Sequence, residues 1–259
     1  MIKEGWIRVL RAPLVGVVVT GLRARFGRQI AFVQARLSPI GALGLHLTAG
    51  ALVIIAACWL FGGIAEDVVT GDPLTIIDAQ LAAWFQANPT PSLTQAMLLV
   101  TRLHGAAGIT VVSLVLASVF VWKRDWYWLA ALALAMPGGM LLNVLTKHIF
   151  VRSRPSFGDP LFVLGSYSFP SGHVTAATLF YGLLAAFLMT IIKVWRPRVC
   201  VLLLALFVIT LVALSRLVLG AHYLSDVLAA FAQAVAWVAL CVTALQALRR
   251  RDEALRAGP

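Results

Sequence analysis

Charge is scarce in this sequence. Only 12% of its 259 residues are Asp, Glu, Lys or Arg, about half the share of a soluble domain, while 61% are hydrophobic. That balance excludes an ordinary water-soluble fold and makes the bilayer the solvent. Cysteine is scarcer still. Cys58, Cys200 and Cys241 are odd in number and lie inside apolar stretches, so they indicate no disulfide framework and read as small apolar fillers. The sequence has no internal repeat, low-complexity segment or glycine-rich nucleotide loop. Acidic residues number 10 against 21 Lys and Arg. A nucleic-acid partner is nevertheless excluded, because the basic residues gather in loops beside apolar runs rather than on one face of a soluble module.

What is present is hydrophobic length. A membrane helix needs about 20 mostly apolar residues, and six charge-free stretches approach it: Leu37–Ala65, Gly105–Trp122, Trp126–Thr146, Val174–Ile192, Val199–Ser215 and Val227–Leu248. The expected fold is all-α, a polytopic membrane protein of six transmembrane helices. It divides into a basic N-terminal segment (1–40), a six-helix membrane domain (41–248) and a tail (249–259). In the N-terminal segment Leu22, Phe26, Ile30, Val33 and Leu37 recur at helical spacing among arginines, the pattern of an interfacial helix on anionic lipid or else of a frayed basic tail. It resembles neither a cleavable signal nor a span.

With six spans, one side of the membrane receives every Lys and Arg except Arg102, Lys147, Arg152, Arg154 and Arg216. The positive-inside rule makes that side, with both termini, cytoplasmic. Tyr127 with Trp122, Trp126 and Trp128 flanks Lys123 and Arg124 there and reads as an aromatic anchor. The acidic loop 66–95 lies opposite, with a helix start at Asp72-Pro73 and Ile77, Leu81, Trp84 and Phe85 on one face.

Three polar stretches fall at extracytoplasmic helix ends: Lys147 to Arg154-Pro155, Pro170-Ser171-Gly172-His173, and Ser215-Arg216 with His222 and Asp226. Three cations, Lys147, Arg154 and Arg216, repel one another in a shared pocket unless an anion lies between them, and guanidinium and ammonium groups suit phosphate oxygens. Ser171 and Gly172 begin a helix, whose N–H groups favour an anion. His222 and Asp226 are four apart, so the carboxylate can hold Nδ1 and leave Nε2 as a nucleophile. His173 has no such neighbour in sequence and suits a general acid and base. A zinc site built from His173, His222 and Asp226 is disfavoured by the surrounding cations. No metal or other cofactor is called for.

The pattern Lys-x6-Arg-Pro, Pro-Ser-Gly-His and Ser-Arg-x5-His-x3-Asp, matched at each specified position, resembles the type 2 phosphatidic acid phosphatase family of lipid phosphate phosphatases. The resemblance implies six helices around a metal-independent site, with His222 as nucleophile, Asp226 orienting it and His173 as acid and base. It implies phosphate binding by Lys147, Arg154, Ser171, Gly172 and Arg216. The expected enzyme is a lipid phosphatase of a bacterial inner membrane, acting on the extracytoplasmic face through a phosphohistidine. Undecaprenyl diphosphate, phosphatidylglycerophosphate and phosphatidic acid are candidate substrates. A lipid A phosphatase or a lipid phosphotransferase would use the same residues. A transporter is disfavoured, since the span centres offer no charged pathway. Arg102, His104 and Arg152 remain as residues to shape specificity; His46, His104 and His148 read equally as packed polar groups.

Overall fold

The structure, a computed structural model, describes residues 45–156 and 165–257. The chain divides into two compact units: Met1–Ala49, most of which lies outside the described residues, and Gly50–Pro259, which holds the helix bundle and the site. The expected interfacial helix falls in the undescribed part. The described residues form eight helices and no strand: α1 Leu45–Thr70, α2 Pro73–Ala87, α3 Pro91–Leu103, α4 Ala106–Trp122, α5 Trp126–Phe150, α6 Gly172–Ile191, α7 Trp195–Val218 and α8 Leu224–Ala257. The protein is an all-helical membrane protein, as its composition requires.

Five of these helices are long and apolar enough to cross a bilayer, and α3 with α4, bent by 48° at their break, passes the same test as a pair, for up to six spans. The expected second span began at Gly105. Its 17 residues reach roughly 25 Å at 1.5 Å per residue, short of a hydrocarbon core of about 30 Å; α3 supplies the remainder. The break falls at His104 and Gly105. Glu66 and Asp67, expected in a loop, belong to the last turns of α1. At the other end, the segment from Arg249 continues α8 to Ala257, with Arg249 paired to Glu253 and Tyr127 donating to Asp252 at 2.7 Å.

α6 is the central helix, packed against α5, α7 and α8. Val174, Ala177, Leu179 and Leu183 are fully buried there. Two glycines of α5 allow that approach: a Cβ on Gly138 would stand 2.6 Å from Trp237, and one on Gly139 2.6 Å from both δ-methyls of Leu179. Large apolar side chains such as Trp59, Ile149 and Leu204 cover the outside of the bundle, as a surface solvated by lipid chains demands. Trp122 and Trp126 are exposed as expected of anchors, but Trp128 is only 5% exposed and packs edge-on to Phe187. Two residues, about 200° around the helix axis, separate its direction from that of Trp126 and send it into the core.

α2 also differs in detail. It starts at Pro73 behind Asp72, as anticipated, but Ile77 and Trp84 are exposed. The inward face runs through Leu74, Asp78, Leu81 and Phe85, a helical series with a carboxylate in its middle.

Candidate active site

The three polar stretches meet at one end of the bundle. Lys147 comes from the last turn of α5, Arg154 from the connection that follows, Ser171 to His173 from the start of α6, Arg216 from the last turn of α7, and His222 and Asp226 from the turn into α8. A main-chain bond fastens two of these segments: the Ser171 N–H donates to the Asp226 carbonyl at 3.0 Å. Asn143, one turn below Lys147, supports the same loop from α5 by donating to the Pro170 carbonyl at 3.3 Å and to Thr175 Oγ1 at 2.9 Å.

His222 Nδ1 lies 3.3 Å from Asp226 Oδ2. A carboxylate only accepts, so the proton belongs on Nδ1 and Nε2 keeps its lone pair. Arg154 Nη1 donates to that nitrogen at 3.2 Å and to the Ala221 carbonyl at 2.7 Å. The rest of the Arg154 guanidinium is fixed by Ser166 and by the Tyr167 carbonyl, and burial lowers its pKa from the ordinary arginine value. Burial also pulls the His222 pKa down to about 4, against the opposing pull of Asp226. The ring is therefore neutral at pH 7.

Lys147 Nζ donates to the Tyr167 carbonyl at 2.6 Å. Lys147, Arg154 and Arg216 are mutual electrostatic neighbours. Arg216 is 2% exposed; one nitrogen donates to Thr101 Oγ1 on α3, while its Nε has no partner. The buried Ser171 hydroxyl is unpartnered as well. Unsatisfied buried donors are rare, and two of them among three cations form a cradle for an oxyanion. The Ser171 amide, taken in the sequence as part of that cradle, is occupied by Asp226, so the free helix N–H groups begin at Gly172. His173 lies on the second residue of α6 with Arg216, His222, Arg154 and His104 as its charged or titratable neighbours. Its Nε2 is 3.9 Å from where a Cβ on Gly105 would lie.

The three further candidates separate. Arg102 is exposed in the last turn of α3. His104 bonds the Val100 carbonyl through Nδ1 and Tyr181 through Nε2, both at 2.9 Å. Arg152 is half-buried and turned away from the cradle: it bridges Asp226 at 2.7 Å and Asp78 at 2.9 Å. Sequence reasoning missed Asp78, Asn143, Ser168 and Ser225. Asp78 alone carried a signal, as the one charge on the face defined by Leu74, Leu81 and Phe85.

Comparison with known proteins shows the family. Residues 126–250 match the PAP2 superfamily. Phosphatidylglycerophosphatase B of Bacillus subtilis (strain 168) is 34% identical over 143 residues, which span 54% of this chain and 70% of that protein. The chain belongs to the PAP2 superfamily. The crystal structure of a transmembrane PAP2 type phosphatidylglycerolphosphate phosphatase from Bacillus subtilis superposes with a TM-score of 0.66 at 26% identity, covering 73% of this chain and 93% of that one. The protein is thus a multi-pass membrane lipid phosphatase of the PAP2 superfamily. All three polar stretches lie within the matched segment, whereas α1 to α4, including Asp78 and Thr101, precede it.

Proposed function

We propose that this PAP2 phosphatase hydrolyses a phosphomonoester or diphosphate of a membrane lipid through a phosphohistidine on His222, without a metal ion. The observation that carries the reading is the His222 ring, held at Nδ1 by Asp226 with its Nε2 lone pair turned toward Arg154. Nε2 attacks phosphorus and forms a P–N bond. The P–O bond to the lipid breaks, and His173 gives its proton to the departing oxygen. Water then gives a proton back to His173 and attacks the phosphohistidine, releasing inorganic phosphate and restoring Nε2. Lys147, Arg154 and Arg216, with the Ser171 hydroxyl and the amide of Gly172, stabilise charge on the equatorial oxygens of the five-coordinate phosphorus.

A site at helix ends lets a headgroup phosphate enter while its chains stay in the bilayer. The name of the bacterial relative makes phosphatidylglycerophosphate the first lipid to test, with undecaprenyl diphosphate and phosphatidic acid beside it. The charge distribution between loops supports an extracytoplasmic site in a bacterial inner membrane. The test is kcat/KM of the purified protein for these three lipids and lipid A in one detergent. Phosphate release from a lipid, with vanadate inhibiting and a chelator leaving the rate unchanged, is the expected result. Preference for a water-soluble phosphate, or loss on chelation that one divalent ion restores, would overturn it.

A further inference from the structure

Asp78 lies on α2, before the segment that matches the family and outside all three motifs, yet it is 1% exposed. A buried carboxylate is tolerated only when its oxygens are answered. Oδ1 accepts the Ser225 N–H at 2.9 Å; Oδ2 accepts the Ser225 hydroxyl at 2.5 Å and Arg152 Nη2 at 2.9 Å. Arg152 Nη1 continues the chain, donating to Ser225 Oγ at 2.6 Å and to Asp226 Oδ1 at 2.7 Å. The guanidinium is further fixed over the Tyr223 ring, 4.4 Å from its centroid. The other oxygen of Asp226 receives Ser168 Oγ, the Tyr223 N–H at 2.9 Å and His222 Nδ1. Hydrogen bonds thus run unbroken from an extramembrane helix to the ring that carries the reactive nitrogen.

We propose that Asp78 is a positioning residue of this phosphatase: by sharing Arg152 with Asp226 it fixes the Asp226 carboxylate against His222 and preserves that carboxylate's negative charge. This rests on the reading of His222 as the nucleophile. Facing Asp226 alone, Arg152 would form a neutral pair with it and largely cancel its attraction for a positive ring. Two carboxylates around one guanidinium leave a net negative charge beside His222, whose ring becomes positive as Nε2 bonds to phosphorus. The other groups that face His222 are Arg154 from the α5–α6 connection, Arg216 from α7 and His173 from α6, with Lys147 of α5 beside Asp226. None is anionic, so nothing compensates for a lost carboxylate. Burial works against the Arg152 charge, but Asp226 and Asp78 outweigh it and raise its pKa. α2 also has apolar neighbours there, because Leu81, Ala82 and Phe85 line one small void together with Leu217, His222 and Tyr223.

The test compares Asp78→Asn and Arg152→Gln with the parent protein, on phosphatidylglycerophosphate in detergent micelles. Asp78→Asn keeps the shape and removes the charge. Its kcat falls by about 10- to 100-fold, the usual effect of losing a group that orients a reacting one, with KM changed by less than about 2-fold. The acid limb of its kcat/KM profile moves to lower pH, because a protonated His222 has lost an attractive charge. Arg152→Gln moves that limb to higher pH, because Asp226 is released from its guanidinium. A role in packing alone moves neither limb. If Asp78→Asn does not accumulate as folded protein, Arg152→Gln decides: a limb that stays or moves down overturns the proposal. His222→Ala and Asp226→Asn are assayed alongside. Near-normal turnover in either removes the reading of the site, and this inference with it. If both are inactive while Asp78→Asn keeps the parent kcat and acid limb, this inference alone falls.

Discussion

Arg154 donates directly to the unprotonated ring nitrogen of His222, Nη1 to Nε2 at 3.2 Å. A cation on a nucleophile's lone pair blocks it until an anion draws the guanidinium aside. A phosphate oxygen offers the stronger acceptor, so in the proposed mechanism a bound substrate is expected to draw Arg154 aside and uncover Nε2. Burial keeps the ring neutral, and Arg154 adds to that effect by opposing a second proton on it.

Replacement of the reacting groups separates their roles. His222→Ala abolishes turnover. Asp226→Asn and His173→Ala each lower kcat by about 10³-fold or more, with KM changed far less, because they act in the transition state rather than on binding. Steady-state kinetics with mass detection of a phosphorylated His222 checks this, and near-normal activity of His222→Ala overturns it.

The pH dependence follows from the depressed His222 pKa of about 4. Attack requires the neutral ring, so kcat/KM is level above the folded value and falls with pH below about 4, tenfold per unit for a single group. The folded ring resists a proton that the unfolded one accepts near pH 6.5. This contribution to stability is therefore complete above that pH and shrinks on acidification, down to the folded value. A kcat/KM profile whose acid limb lies near pH 6.5 would contradict the burial of this ring.

Arg216 combines a bond to Thr101 with an unpartnered Nε. Arg216→Lys keeps the charge and loses the fork, so inhibition by vanadate weakens by about 10-fold or more, as the loss of a paired charged hydrogen bond predicts. An unchanged inhibition constant would place the oxyanion away from α7.

Gly139→Ala adds a methyl against Leu179, which is fully buried. Overpacking of that kind costs about 1–3 kcal/mol. Thermal unfolding in detergent is expected several degrees lower, while the rate at 25 °C is retained in the protein that stays folded. Gly63→Ala, with open space at its Cβ, serves as the control.

The sequence on its own determined the solvent and the helical class, and it named the residues proposed here for the oxyanion cradle. Hydrophobic length is a local property that no packing alters, and Lys147, Arg154, His173, Arg216, His222 and Asp226 each fall in a short motif that is legible by itself. It also located α2 by Asp72-Pro73. Tertiary structure alone decided which face of a helix is inside. Trp128 and Trp126 are two residues apart, yet one is core and the other surface, because α6 happens to present Phe187 to only one of them. The same holds for Asp78. Its partners Arg152 and Ser225 are 74 and 147 residues away, a separation over which no periodicity or spacing carries information. Only the folded bundle brings α2 down onto the start of α8 and turns an ordinary loop acid into a neighbour of the reacting histidine.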